Sequence, residues 1–187
     1  MLIRISGGAG GIAEYLEHGR KQGREKQREQ LDERFVLAGN LGIADAIIER
    51  MGGEVDRYLH VTLAFKEDEV PSEILDAVTR DFEALAMAPY DKDEHCFYAE
   101  AHMPRIKSYT DQRSGEFVER KPHIHIVIPK LNLLSGRKLE PFGAVDRNIA
   151  SIDAFQEHTN LKYGLASPKD HRRTQFSDQS EIISRHK

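Results

Sequence analysis

The ten residues from Lys121 to Lys130, KPHIHIVIPK, constrain the fold more than any other stretch of the chain. They alternate, and in an extended chain successive side chains point to opposite faces. Ile124, Ile126 and Ile128 share a face that has to meet a core, while His123, His125 and Val127 share the other. Two histidines two residues apart on one strand face have Cβ atoms close enough to hold one cation between their imidazoles. Pro122 and Pro129 bracket the run and fit strand ends, since neither can donate to a ladder. A lone His-x-His is more often a half-buried strand with two outward polar residues, so the weight falls on the rest of the chain.

With 187 residues the chain is one domain, long enough to bury a real core. It is 39% hydrophobic and 31% charged, with no run of about 18 apolar residues, which excludes a membrane-spanning helix and any insertion into a bilayer. The first residues, MLIRISGG, lack the apolar segment of a secretory signal, and the single Cys96 excludes an internal disulfide framework. Both fit a reducing cytoplasm. The net charge of −4 argues against wholesale coating by nucleic acid, but charge is unevenly spread. Between Pro104 and Lys138, eight basic residues (Arg105, Lys107, Arg113, Arg120, Lys121, Lys130, Arg137 and Lys138) face three acids. A basic patch around a candidate cation site points to a phosphate-bearing substrate.

Leu2 to Ile5 reads as a short strand and Ser6 to Gly11 as a flexible glycine-rich turn that lacks the Gly-Lys-Ser/Thr of a nucleotide-binding loop. A helix follows, with Ile12, Tyr15 and Leu16 on one stripe. From His18 to Arg34 almost every residue is polar, which reads as a mobile loop or a solvated helix, and Phe35 to Leu37 as a short strand. Ile43 to Met51 is an amphipathic helix ended by Gly52 and Gly53. In the strand Tyr58 to Phe65, Leu59, Val61, Leu63 and Phe65 face the core and Tyr58, His60, Thr62 and Ala64 the other side. A helix starting around Pro71 carries Ile74, Val78, Phe82 and Leu85 inward. The strand His95 to Met103 sets Phe97, Ala99 and Ala101 against Cys96, Tyr98, Glu100 and His102. Residues 106–119 read as a hairpin turning before Gly115, and Asp146 to Lys162 as a helix capped by Gly164. The core runs over about residues 1–166, with a polar extension over 167–187.

Three strands therefore aim histidines at one face. His102 with His123 and His125 makes a three-imidazole site with open coordination positions, as a catalytic metal requires. Three neutral ligands leave the cation's charge uncompensated, which suits a phosphodiester. Glu100, one strand period from His102, is placed to orient a ligand imidazole. His60 lines the same face, while His95, His18, His158, His171 and His186 read as surface residues. Cys96 has apolar surroundings and reads as inert. No Gly-x-Ser-x-Gly occurs, which turns attention to tyrosine. A phenol is only about one part in a thousand ionised at neutral pH, so as a nucleophile it needs a metal-polarised phosphate or a nearby base. Tyr15, on a helix after a glycine turn, is placed to be presented.

Taken in order, these pieces resemble the relaxase branch of the HUH endonucleases, the nickases of conjugative and mobilisable plasmids. Ile12 to Leu16 is similar to the helix carrying their nucleophilic tyrosine, Tyr58 to Phe65 to their His-x-x-x-Ser-Phe strand with Ala64 in place of the serine, and Tyr98 to Pro104 to the strand of the first metal histidine. His123-Ile-His125 matches the motif that names the superfamily; Asn132 to Leu139 resembles the loop after it, and Phe155 to Leu165 the following helix. The resemblance runs from about residue 3 to 166. One departure from the family matters: His102 and His123 are twenty-one positions apart, with the hairpin inserted between them.

The resemblance implies an α+β fold, a central antiparallel sheet of about five strands with helices on its apolar face and the metal site on the open face. It implies Mg²⁺ or Mn²⁺ on His102, His123 and His125, with Tyr15 and Glu100 in the catalytic machinery and Tyr109 the next candidate nucleophile. It implies single-stranded DNA of a plasmid transfer origin as substrate, bound by His60, Arg105, Lys107, Arg113, Arg120, Lys121, Lys130, Arg137 and Lys138. Accessory relaxosome proteins and a type IV secretion coupling protein would be the partners. Relaxases often continue into helicase or primase domains, so the chain is open to being the N-terminal part of a longer protein. A rolling-circle replication initiator shares the same chemistry. A histidine-triad nucleotide hydrolase needs a third alternating histidine where Val127 stands, and a DNA-binding module without catalysis would bind independently of metal.

Overall fold

The computed structural model describes residues 1–19, 26–53, 56–112, 115–143 and 145–170. Arg113, His171, His186 and the stretch 171–187 lie outside them. Five strands form one antiparallel sheet: β1 (Leu2–Gly8), β2 (Asp32–Ala38), β3 (Tyr58–Ala64), β4 (Tyr98–Pro104) and β7 (His123–Pro129). Between β4 and β7 the chain leaves the sheet as a two-stranded ribbon, β5 (Ser108–Thr110) and β6 (Phe117–Glu119), the hairpin expected there. The helices are α1 (Ile12–His18), α2 (Arg28–Leu31), α3 (Leu41–Arg50), α4 (Ser72–Ala86) and α5 (Val145–Tyr163). None among the described residues is long and apolar enough to cross a membrane.

The strand order is β1-β3-β7-β4-β2, so the histidine strand is the centre of the sheet. Its isoleucines are fully buried, together with Val61 and Leu63 of β3 and Ala99 and Ala101 of β4. These meet Leu75, Val78, Phe82 and Ala86 of α4, while Ile152 and Phe155 of α5 pack alongside. That is the expected α+β layering, with a central five-stranded antiparallel sheet and its apolar face covered by helices.

The opposite face is not bare. Ile12 and Leu16 of α1 and Ala44 and Ile48 of α3 lie over Tyr58, Tyr98 and Val127 and form a second, smaller core. Asn40 caps α3 by accepting from the Ile43 amide at 3.0 Å. Gly39, just before it, has φ of +70°, and a Cβ there would stand 2.1 Å from the Phe97 carbonyl oxygen, so only glycine fits.

Two local readings are corrected. β1 runs on to Gly8, because its backbone pairs with β3 as far as Gly8↔Tyr58, and the Tyr58 hydroxyl, 2.3 Å from where a Cβ would be, leaves room only for glycine there. The polar stretch before Phe35 is not all loop or solvated helix. Residues 28–31 form α2, and the edge strand β2 begins at Asp32, because its backbone pairs with β4 from Asp32↔Pro104 onward. Arg28 and Asp32, only 3% and 2% exposed, are buried by counter-charges from distant segments.

Candidate metal centre and nucleophile

Sheet register sets the site. His123 lies directly opposite His102 of β4, and His125 opposite both Glu100 of β4 and Thr62 of β3. The ring centroids of His102, His123 and His125 stand 4.7 to 5.1 Å apart. One ligand atom from each lies within 4.8 Å of the others, so these residues can hold a metal ion between them. The long separation of His102 from the pair in sequence is spanned by the ribbon, which returns the chain to the neighbouring strand. His102 and His125 are buried and His123 is the member with access to solvent.

Hydrogen bonds prepare two of the three imidazoles. The His123 Nδ1–H donates to the Lys121 carbonyl at 3.0 Å, which turns Nε2 toward the cluster as a lone pair. His125 Nδ1 is 2.9 Å from His60 Nε2, and its own Nε2 is buried with no partner. A buried ring nitrogen without a partner costs free energy unless something binds it; with the proton on Nδ1, it is a ligand lone pair. Both rings are held neutral. Burial, with His102 nearby, lowers His123 to about 4, and burial with the surrounding imidazoles and Arg28 lowers His125 further. Metal ligands have to be unprotonated, so the donor set fits a divalent cation. His102 differs: Nε2 bonds Glu100 Oε1 at 2.5 Å and Nδ1 faces Arg28 Nη1 at 3.3 Å and Asp32 Oδ2 at 3.6 Å. For His102 to join, one of those partners has to give way.

Glu100 has no exposed surface and is saturated with donors: His102, Arg34 Nη2 at 2.6 Å and Tyr98 Oη at 2.6 Å. Burial alone would raise its pKa, but these hydrogen bonds prevail and hold it at about 2. A carboxylate so occupied orients neighbours rather than accepting a substrate proton. Tyr15 stands at the edge of the roof formed by α1 and α3, its ring edge-on to His60 at 5.9 Å and to His125 at 6.0 Å. The structure thus brings Tyr15, His60, Glu100, His102, His123 and His125 together. Tyr109 instead lies on the ribbon, under the Lys26 ammonium.

Three residues of the cluster escape a reading by sequence: Arg28, Asp32 and Arg34. Asp32 accepts from Arg28 and from Arg120, and touches His102. Asp32, Arg34 and Val36 pair across to β4 on the histidine face, so their period-two spacing was the signal available.

The expected basic surface divides. Arg137 is exposed. Arg105, Lys107, Lys121 and Lys138 make solvent-facing pairs with Glu33, Glu69, Asp68 and Glu140, each weak enough to be exchanged for a phosphate. Lys130 and Arg120 are corrections. Lys130 is 5% exposed and bonds Asp56 at 2.6 Å, and Arg120 is committed to Asp32, so neither offers a free cation. His95 is also not a surface strand end; its ring tucks between the Asp91 carbonyl and Glu83. Cys96 is a free thiol whose pKa burial pushes up, in keeping with an inert role.

The chain is 29% identical over 184 residues to the cryptic plasmid protein C of Neisseria gonorrhoeae, an alignment spanning 97% of this chain and 77% of that protein. No protein-family profile matches the chain, and no solved structure matches it.

Proposed function

We propose that the protein is a plasmid-borne relaxase that nicks and rejoins single-stranded DNA through Tyr15. The observation that carries the reading is the meeting of a tyrosine ring with a cluster of three histidines, one of whose ring nitrogens, His125 Nε2, is buried without a partner. The likeness to a plasmid protein over nearly the whole chain supports the setting.

His102, His123 and His125 would hold the metal, and when bound it supplies Lewis-acid polarisation of the scissile phosphate, worth several kcal/mol to the transition state. Three nitrogen ligands favour Mn²⁺ over Mg²⁺, which prefers oxygen. His102 would take part through Nε2, with Glu100 yielding that contact and staying on Arg34 and Tyr98, while Nδ1 stays against Arg28; His60 fixes His125. The Tyr15 oxygen attacks phosphorus in line and the 3′ oxygen leaves, giving a 5′-phosphotyrosine and a 3′ hydroxyl. His60, whose pKa burial lowers, stays neutral and keeps its Nε2 lone pair on the His125 Nδ1–H, so the proton lost by the phenol passes through water and is matched by the one gained by the 3′ oxygen. Reversal by the 3′ hydroxyl rejoins the strand, and one phosphodiester is exchanged for another without an external energy source. The strand reaches the site past Arg105, Lys107 and Arg137.

The test is incubation with labelled single-stranded oligonucleotides tiled across the transfer origin of the parent plasmid, with Mn²⁺ or EDTA, resolved on a denaturing gel. A metal-dependent protein-linked band that Tyr15→Phe abolishes supports the reading. Cleavage without a linked product makes the protein a metal hydrolase; binding without cleavage makes it a DNA-binding module.

A further inference from the structure

α1 is only two turns long, begins at Gly11 without a side-chain cap, and is too short to be stable by itself. Ile12 and Leu16 anchor its buried side, but Tyr15 needs a restraint on the side of the histidines. Arg28 is the residue that supplies one. Its Nη2 donates to the Tyr15 carbonyl at 3.2 Å, and its guanidinium carbon lies 5.3 Å from the centre of the Tyr15 ring. Its Nη1 is 3.3 Å from both Asp32 Oδ2 and His102 Nδ1. The arginine is itself held. Gln27 and Gln30 close a reciprocal capping box on α2, Leu31 is buried, and Asp32 is clamped from its other side by Arg120.

From this the geometry points to Arg28 as a positioning residue for the nucleophile: a strut that fixes the Tyr15 ring relative to the histidine cluster through one planar cation touching both. This rests on the reading of Tyr15 as the nucleophile. Only a planar fork can reach the Tyr15 carbonyl, Asp32 and His102 together. A lysine can reach one or two of them, which makes the conservative substitution informative.

The experiment compares wild type, Arg28→Lys, Arg28→Gln and Arg28→Ala in three measurements: single-turnover formation of the Tyr15–DNA adduct, affinity for the oligonucleotide, and Mn²⁺ affinity by electron paramagnetic resonance. A fourth, independent of activity, is the ¹³C–¹H spectrum of ring-labelled tyrosine, with the Tyr15 signal assigned by its loss in Tyr15→Phe. Ring currents from His60 and His125 displace that signal only while the tyrosine is held between them. The strut predicts that Arg28→Ala slows adduct formation roughly 10–100-fold through lost orientation. DNA and metal affinities stay within about fivefold, the Tyr15 signal collapses toward its random-coil position, and Arg28→Lys recovers part of the rate. Unchanged adduct rate with an unmoved Tyr15 signal overturns the proposal, and so does a slower rate matched by an equal loss of metal affinity. Arg28→Gln, which keeps a planar polar end on a shorter stem, replaces Arg28→Ala if the truncation does not fold. Should wild type form no adduct, the proposed function falls, and the Tyr15 signal in the variants still decides whether Arg28 holds the ring.

Discussion

Asp32 accepts two hydrogen bonds from one terminal nitrogen of Arg120, at 2.5 and 2.6 Å, and thereby ties the end of the β5–β6 ribbon to the edge strand beside the histidines. Asp32 has no exposed side-chain surface, and Arg120 has 12%. Burial by itself would raise the Asp32 pKa, yet the close approach of His102 and the hydrogen bonds from Arg120 hold it well below the usual carboxylate range. Asp32→Asn leaves the buried guanidinium of Arg28 and the half-buried one of Arg120 without their counter-charge. It is expected to cost about 3 kcal/mol, measured as a shift of the urea midpoint at unchanged slope. A midpoint equal to wild type would show the pair to be dispensable.

Metal binding divides the histidines into two groups. His123→Ala and His125→Ala each remove a prepared ligand and are expected to abolish Mn²⁺ binding followed by electron paramagnetic resonance. His60→Ala removes only the partner of His125 Nδ1, so affinity is expected to fall about 10–100-fold and no further. If His60→Ala abolished binding outright, His60 would be a ligand in place of one of the three.

Stability of the metal-free protein should fall on mild acidification. His123 titrates at about 4 in the fold and near 6.5 when unfolded, burial being the main cause. Between those values the unfolded chain holds the extra proton, so stability rises with pH across the window and is lost as pH drops through it. The loss attributable to this residue is up to about 3 kcal/mol. Urea midpoints measured in EDTA from pH 7.5 to 4 read the slope. His123→Asn is expected to reduce it by the share of one proton, His125 and His60 supplying the remainder, and a slope unchanged by that substitution would place the titrating groups elsewhere.

Lys130 and Arg137, eight residues or fewer from the histidine strand's end, are expected to respond in opposite ways. Lys130 is buried in ion pairs with Asp56 and Glu140, so Lys130→Ala should cost about 2 kcal/mol of stability. Arg137 is exposed, so Arg137→Ala should leave the urea midpoint in place while lowering oligonucleotide affinity and the steepness of its salt dependence. A weakened salt slope in Lys130→Ala, with normal stability, would return that lysine to the DNA surface.

Gly39→Ala forces a Cβ against the Phe97 carbonyl in a left-handed backbone conformation. The expected cost is about 2 kcal/mol, seen in the same urea assay, and it should spread to the cap of α3 and so to the roof over Tyr98 and Val127.

Much of the site could be read directly. The alternation of Ile124, Ile126 and Ile128 with His123 and His125, and the inward stripe Val78 and Phe82, specify which side of each element meets the core. Edge strand β2 was harder to see, because Asp32, Glu33 and Arg34 carry no apolar alternation and resemble a solvated segment. Its strand state comes from the backbone of β4, which offers a ladder, and from the charges waiting on β4 and the ribbon.

What the sequence by itself determined is the facing of side chains: a period of two or 3.6 is a local property, and it aimed the histidines of three strands at one side before any partner was known. What only the tertiary structure decided is which strands stand next to which. The order β1-β3-β7-β4-β2 sets His102 opposite His123 and His60 diagonal to His125. It also turned Arg28 and Lys130 from surface cations into buried ones and committed Arg120 to a buried carboxylate. Whether a charge can leave water depends on counter-charges arriving from distant parts of the chain, and no local pattern records their arrival.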